Sequence, residues 1–192
     1  MDEVFVYLVE NYYMKGDAFW LKPEELEKYV DRARKIAPNV IGNIAPEIKL
    51  PNIATKKTES LHAQKGKYTV VIFYSPNCGH CQHEMPSIDS LYKAVLKDKG
   101  VKMYTVATEG EEKAIADFIK KYNMGEWTNT WDNDHTSDYH SKFDVYSTPT
   151  IYLLDEKKII RGKRLDHHNI ASLLEMLEKK AKENKDKPAG AK

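Results

Sequence analysis

Seven consecutive β-branched and aromatic residues, Tyr68-Thr-Val-Val-Ile-Phe-Tyr74, run almost directly into Cys78-Gly79-His80-Cys81. The run lacks polar alternation, so it reads as a strand buried on both faces and central in a sheet. Ser75-Pro76-Asn77 turns the chain. A helix is predicted from about Gly79, with Met85, Ile88, Tyr92, Val95 and Leu96 on its inner side and a kink at Pro86. Cys78 then falls where a buried strand meets a helix N-terminus, and there unpaired N–H groups and the helix dipole favour an anion.

That placement predicts chemistry. The thiolate is the reactive form of cysteine, and a helix N-terminus lowers the thiol pKa. Cys78 is therefore expected to be the nucleophile. Cys81, one turn on, is expected to be more buried and less acidic, and to resolve a mixed disulfide. A protonated His80 between them stabilises the thiolate, which moves the couple toward the range of about −180 to −120 mV seen in isomerase- and oxidase-type proteins. Asn77 and Gly79, on either side of Cys78, are candidates for substrate contact. The chain holds only 2 Cys, and a disulfide closing so short a loop adds little stability. The alternative is metal binding by Cys78, His80, Cys81 and His83. Structural zinc usually draws on two separated ligand pairs, and four ligands packed into one short helical stretch do not converge tetrahedrally. No metal or other cofactor is expected.

Downstream, Ser147-Thr148-Pro149-Thr150 precedes a second apolar run, Thr150 to Leu154. Proline can begin a strand but not occupy the middle of a central one. A cis peptide at Thr148–Pro149 would lay this turn beside the Cys pair and leave the Thr148 backbone free to pair with an extended substrate. An ordinary trans proline at a strand start is the other reading.

The remaining elements follow from periodicity. Residues 1–41 read as helical: Pro23 suits a first turn, and Leu26, Tyr29, Val30, Ala33 and Ile36 mark one face. Val4 to Met14 is apolar on most sides and is expected to be buried, either on the following domain or as the end of a larger N-terminal one. Residues 42–67 form a connector. Val101 to Ala107 is a strand, and Thr108 and Glu111 have capping-box spacing for a helix carrying Ile115, Phe118, Ile119 and Tyr122. Residues 124–147 are expected to be irregular, with a short helix near Tyr139 to Phe143. Thr150 to Leu154 and Ile159 to Lys163 make a hairpin, followed by a helix through Ile170, Leu173, Leu174 and Leu177. A domain over residues 42–180 is thus expected, with a flexible Lys-rich tail over 181–192. The order β-α-β-α-β-β-α predicts an α/β fold, a mixed central sheet with helices on both faces.

Trp127, Trp131, Asp132, Asp134, His135 and His140 cluster in the polar insertion. They read as a substrate lip, a metal site, or a loop packed by its own aromatics, the last being commonest. His167 and His168 read as exposed residues opening the last helix. Formal net charge is +1, from 30 basic and 29 acidic side chains, which gives no electrostatic case for nucleic acid. No apolar run is long enough to span a bilayer. No basic leader precedes an apolar core, which leaves a cytosolic protein or one whose leader has been removed.

Phe73-Tyr-Ser-Pro-Asn-Cys-Gly-His-Cys-Gln-His-Glu-Met-Pro86, followed by Ser147-Thr-Pro-Thr-Ile-Tyr-Leu-Leu-Asp155, resembles the TlpA/ResA-like branch of the thioredoxin superfamily. Gly42-Asn-Ile-Ala-Pro-Glu-Ile-Lys-Leu50 is similar to that branch's opening. The resemblance covers about residues 42–180. It implies a thioredoxin-like fold and a thiol–disulfide oxidoreductase of the bacterial envelope, facing the periplasm. Its partners would be protein thiols or disulfides and an upstream redox partner. It further implies that Glu84 is a buried proton acceptor for the buried thiol; a solvated helix carboxylate is the alternative. The N-terminal helices resemble a segment found before such domains in envelope proteins. Two positions depart from the pattern: Asn77 stands where the branch commonly has Trp, and Ile72 where thioredoxins proper place a buried acid. The runner-up function is a redox-inert or metal-carrying binding module. Copper-carrier relatives space their cysteines by three residues and add a distal His, unlike the pair here. Peroxidases usually have Thr where this chain has Ser75.

Overall fold

A computed structural model describes residues 2–186 of the chain, and its core is a five-stranded sheet. β1 (Lys49–Pro51) and β2 (Thr58–Ser60) form a small antiparallel ribbon in the connector. β3 (Tyr68–Tyr74), β4 (Val101–Ala107), β5 (Thr128–Trp131), β6 (Thr150–Asp155) and β7 (Ile160–Lys163) make the main sheet, in the order β5-β4-β3-β6-β7. β3 is central, as its composition demands: every residue in it is buried. It pairs in parallel with β4 and antiparallel with β6.

α1 (Asp2–Asn11) and α2 (Pro23–Ile36) precede the sheet. α3 (Gly79–Leu91), α4 (Glu112–Lys121), α5 (Tyr139–Phe143) and α6 (His167–Asp186) follow in the order of the strands they connect or close. Right-handed crossovers decide which face each helix covers. The steps β3-α3-β4 and β4-α4-β5 move the same way across the sheet, so both helices land on one face. There Cys81, Met85, Ile115 and Phe118 join Val70, Ile72 and Tyr74 of β3 and Ile170 and Leu174 of α6 in one apolar cluster. The return from β5 to β6 puts α5 on the other face. Tyr139 and Phe143 pack there on Val71 and Phe73, with Ile48, Leu50 and Leu61 of the connector.

Several sequence expectations need correction. The insertion contains a strand: β5 adds to β4 in parallel, with Tyr104 opposite Thr128. Its buried Asn129 is satisfied by Thr105 Oγ1 at 2.9 Å and by the Met124 and Trp127 carbonyls, which is how a polar segment can be a buried strand. Thr108 does not cap α4. Its hydroxyl donates to the Tyr74 carbonyl at 3.1 Å, and Glu111 is the residue preceding the helix, without a side-chain cap. Pro86 lies inside α3, as expected; the helix continues to Leu91, and the turn beyond it, Tyr92–Leu96, is π-helical rather than α-helical. α6 continues to Asp186, past residue 180, where the tail was expected to begin; residues 187–192 of that tail lie outside the described residues.

The N-terminal helices form a small core of their own, Val6, Val9, Ala33 and Ile36. Contrary to expectation, α1 buries one side only: Val4 and Tyr7 are 61% and 56% exposed. Polar contacts tie this unit to the sheet domain. Arg32 Nη2 of α2 donates to Asp144 Oδ2 at 2.9 Å, and Arg164 Nη2 reaches the same oxygen at 2.5 Å. Lys163 Nζ donates to Asn39 Oδ1 at 2.9 Å and also pairs with Asp2. Asp144 is buried, and its two arginines repay its desolvation.

Asp144→Asn keeps the shape and tolerates the left-handed backbone (φ 50°) that Asp144 adopts. The arginines are 38% and 52% exposed and can return to water. The substitution is therefore expected to cost about 2 kcal/mol of unfolding free energy rather than more. Urea unfolding checks this; an unchanged midpoint would show that the clamp adds no stability.

Candidate active site

Cys78 is the N-cap of α3, with extended backbone (φ −81°, ψ 117°). Its position follows from the strand: β3 ends at Tyr74, Cys78 N closes a turn onto the Ser75 carbonyl at 3.2 Å, and the helix begins at Gly79. Gln82 Nε2 braces the turn by donating to the Pro76 carbonyl at 3.0 Å. Both cysteines are free thiols, Cys78 half-buried and Cys81 buried. Cys81 N donates to Cys78 Sγ at 3.4 Å, and Cys78 Sγ donates to the Thr148 carbonyl at 3.1 Å. The Thr148–Pro149 peptide is cis, so the sequence-distant turn lies against the sulfur.

The two thiols differ in acidity. Burial by itself would raise the Cys78 pKa, but hydrogen bonds offered to the sulfur by the Thr148 side chain and by the backbone amides of Cys81 and His80 bring it below the ordinary thiol value. Burial pushes Cys81 up to about 12, with the neighbouring Cys78 sulfur adding to the effect. His80 is exposed beside the pair, as are Asn77 and Gly79. A Cβ added at Gly79 would meet open space. Asn77 N donates to Ser75 Oγ at 3.1 Å.

Glu84 is half-buried, and its recorded hydrogen-bond partner is His167 rather than a cysteine. Glu84 Oε1 accepts from the His167 backbone N–H at 2.7 Å and from its ring Nδ1–H at 2.8 Å. This corrects the reading of His167 as surface: its side chain is 26% exposed and joins α6 to α3, whereas His168 is exposed. Trp127 packs edge-on against Tyr92, Trp131 closes β5, and buried Asp132 accepts from Thr136 N and Ser137 Oγ. Among the described residues, no group of three or more His, Cys, Asp or Glu side chains is arranged to hold a metal.

Sequence reasoning passed over Glu109. It follows β4 as Cys78 follows β3, and Tyr74 and Ala107 are paired at the ends of these parallel strands. Ser75 Oγ donates to Glu109 Oε1 at 2.5 Å, binding the two loops together. The signal was available: ligands of α/β sheets gather at the carboxyl ends of parallel strands.

A thioredoxin-like fold carrying a free Cys-x-x-Cys pair at the N-terminus of its first sheet-crossing helix defines the class. The chain belongs to the AhpC/TSA family, whose model matches residues 41–163. It is 28% identical over 129 residues to the thiol-disulfide oxidoreductase ResA of Oceanobacillus iheyensis, a match covering 64% of this chain and 65% of that protein. The chain thus spans just under two thirds of that relative. It is 31% identical over 121 residues to the thioredoxin-like protein YneN of Bacillus subtilis, covering 62% of this chain and 68% of that one. A solved domain of a possible thiol-disulfide isomerase from Cytophaga hutchinsonii is 33% identical, with a TM-score of 0.67 over 76% of this chain and 98% of that chain. A thioredoxin-like protein from Bacteroides caccae, 20% identical, shares the fold with a TM-score of 0.75 over 92% of this chain and 62% of that chain. That coverage takes in most of the N-terminal helical unit. The ResA-like resemblance of the sequence therefore holds.

The acidity difference predicts selective alkylation. Iodoacetamide should modify Cys78 with a midpoint below the ordinary thiol value of 9.0, and Cys81 only toward about 12. Peptide mapping after timed alkylation across a pH series checks this. Equal rates at both cysteines would contradict the assigned environments.

Proposed function

We propose that the chain is a thiol–disulfide oxidoreductase acting on protein thiols and disulfides. The observation that carries this reading is the pairing of an accessible thiol of lowered pKa at a helix N-terminus with a buried thiol of raised pKa one turn later. The Cys78 thiolate attacks one sulfur of a substrate disulfide, forming a mixed disulfide and releasing the other substrate sulfur as a thiolate. Cys81 loses its proton and attacks Cys78 Sγ, expelling the second substrate thiolate. The substrate gains two electrons and the pair becomes a disulfide, which an upstream dithiol partner must reduce. The reverse sequence oxidises a substrate dithiol.

The other residues support these steps. Exposed His80 supplies positive charge to the Cys78 thiolate when protonated. Thr148, ahead of Pro149, offers its backbone to an extended substrate, while Asn77 and Gly79 leave the approach to the sulfur open. Glu84, three residues after Cys81 and held by His167, is assigned as the proton acceptor for the resolving thiol. A site of action in the bacterial envelope is part of this reading and is supported by the resemblance to ResA-like proteins; among the described residues no helix is long and apolar enough to cross a membrane.

Cys81→Ser removes the resolving thiol and is expected to accumulate mixed disulfides with reducible protein substrates, visible as thiol-sensitive bands on non-reducing gels. Cys78→Ser should form none. If neither variant forms adducts and the wild-type protein turns over no disulfide, the protein is a binding module that uses the fold without its redox chemistry.

A further inference from the structure

A groove of about 410 Å³ opens beside the reactive sulfur. Thr148, whose carbonyl accepts from Cys78 Sγ at 3.1 Å, forms one end of it. Glu109, Tyr139, Tyr146, His135 and His140 line the remainder. Its walls come from three separate stretches of chain: the loop after β4, the insertion around α5, and the turn before β6. None of these contains a cysteine, and exchange chemistry at Cys78 does not require the groove.

The charge of the groove is set by a few groups. Glu109 is exposed and carries the free carboxylate, steadied by Ser75 Oγ. Asp132 is buried nearby, close enough to act on the Tyr139 phenol. Tyr139 senses both: burial raises its pKa first, and the Asp132 and Glu109 carboxylates raise it further, against hydrogen bonding to Thr108. His140 Nδ1–H donates to the Val145 carbonyl at 2.5 Å. Two strong cations lie near the wall, Arg32, 5.2 Å from the centroid of the Tyr146 ring, and Arg164, which lines an adjoining pocket with Tyr146 and Ser147; both are engaged by Asp144. The field in the groove is therefore negative, and a Cys78 thiolate at its end adds to it. Exposed Tyr146 supplies ring surface for the stem of a long side chain, and aromatic faces attract cations.

We propose that this groove selects substrates, receiving an Arg or Lys side chain adjacent to the reacting cysteine of an extended polypeptide. The inference rests on the oxidoreductase reading and adds to it a substrate class, disulfides flanked by a basic residue. A substrate strand paired along the Thr148 backbone, with its sulfur at Cys78, would carry its neighbouring side chains past Glu109. An acidic neighbour would meet like charge there, which disfavours binding and slows the approach of the substrate.

Short peptides with one cysteine, capped as a mixed disulfide with 2-mercaptoethanol, test this directly. Arg, Gln or Glu is placed next to the cysteine on either side, and the reduced full chain is mixed with each and quenched in acid. The expected result is at least fivefold faster exchange for Arg than for Glu, with Gln between them and the ratio shrinking as salt is raised. Glu109→Gln, which keeps an acceptor for Ser75, should largely remove the preference, and Glu109→Lys should invert it. Equal rates for all three peptides in the wild-type protein would overturn the inference while leaving the oxidoreductase reading intact. A wild-type preference that persists in both Glu109 variants would overturn it too. No exchange with any peptide would instead remove the oxidoreductase reading beneath it.

Discussion

Everything functional in this molecule depends on Cys78 being the cap of α3 at the end of the central strand. A sulfur there accepts hydrogen bonds from the first amides of the helix and from the Thr148 side chain across the fold. The cost of holding it half-buried is outweighed by those hydrogen bonds, so its pKa falls, whereas the same helix carries Cys81 a turn further into apolar packing, where burial dominates and the pKa rises. One turn of helix therefore separates the more acidic thiol from the less acidic one, which is the order of steps the proposed exchange requires. An oxidoreductase needs that asymmetry, because a pair equally reactive at both sulfurs would have no preferred order of steps.

The fold serves this placement. β3 must be buried on both faces to fix the start of α3, and both faces are supplied: α3, α4 and α6 on one, α5 and the connector on the other. The N-terminal helices add a third body, held largely through Asp144 and its arginines. Asp144 lies in the segment leading to Thr148 and Pro149, so the clamp that seats these helices also anchors the turn that faces the redox pair.

Local signals were readable in the sequence. Tyr68–Tyr74, Val101–Ala107 and Tyr139–Phe143 have the expected type and bounds because their apolar pattern is set by neighbours a few residues away. The Cys pair at a strand–helix junction was equally legible. Long-range polar pairings were not. β5 looks like a loop because its Thr and Asn side chains are satisfied only once Thr105 and the Met124 carbonyl are alongside. Glu84 and His167 are 83 positions apart, and nothing local marks either as a partner of the other. Glu109 becomes a site residue only when two parallel strands end side by side.

The central claim is that Cys78 and Cys81 form a reversible two-electron couple biased by their surroundings. The direct measurement is the equilibrium potential of the pair, by alkylation trapping in graded thiol buffers, on the wild-type protein and on His80→Pro. The account predicts a single couple, with the His80→Pro value more negative than the wild type, because the substitution removes the imidazole to which the proposal assigns support of the thiolate. A wild-type potential in the range of about −180 to −120 mV marks an oxidant or isomerase, and one near about −270 mV a reductase fed from upstream. The absence of any reversible couple would contradict the account.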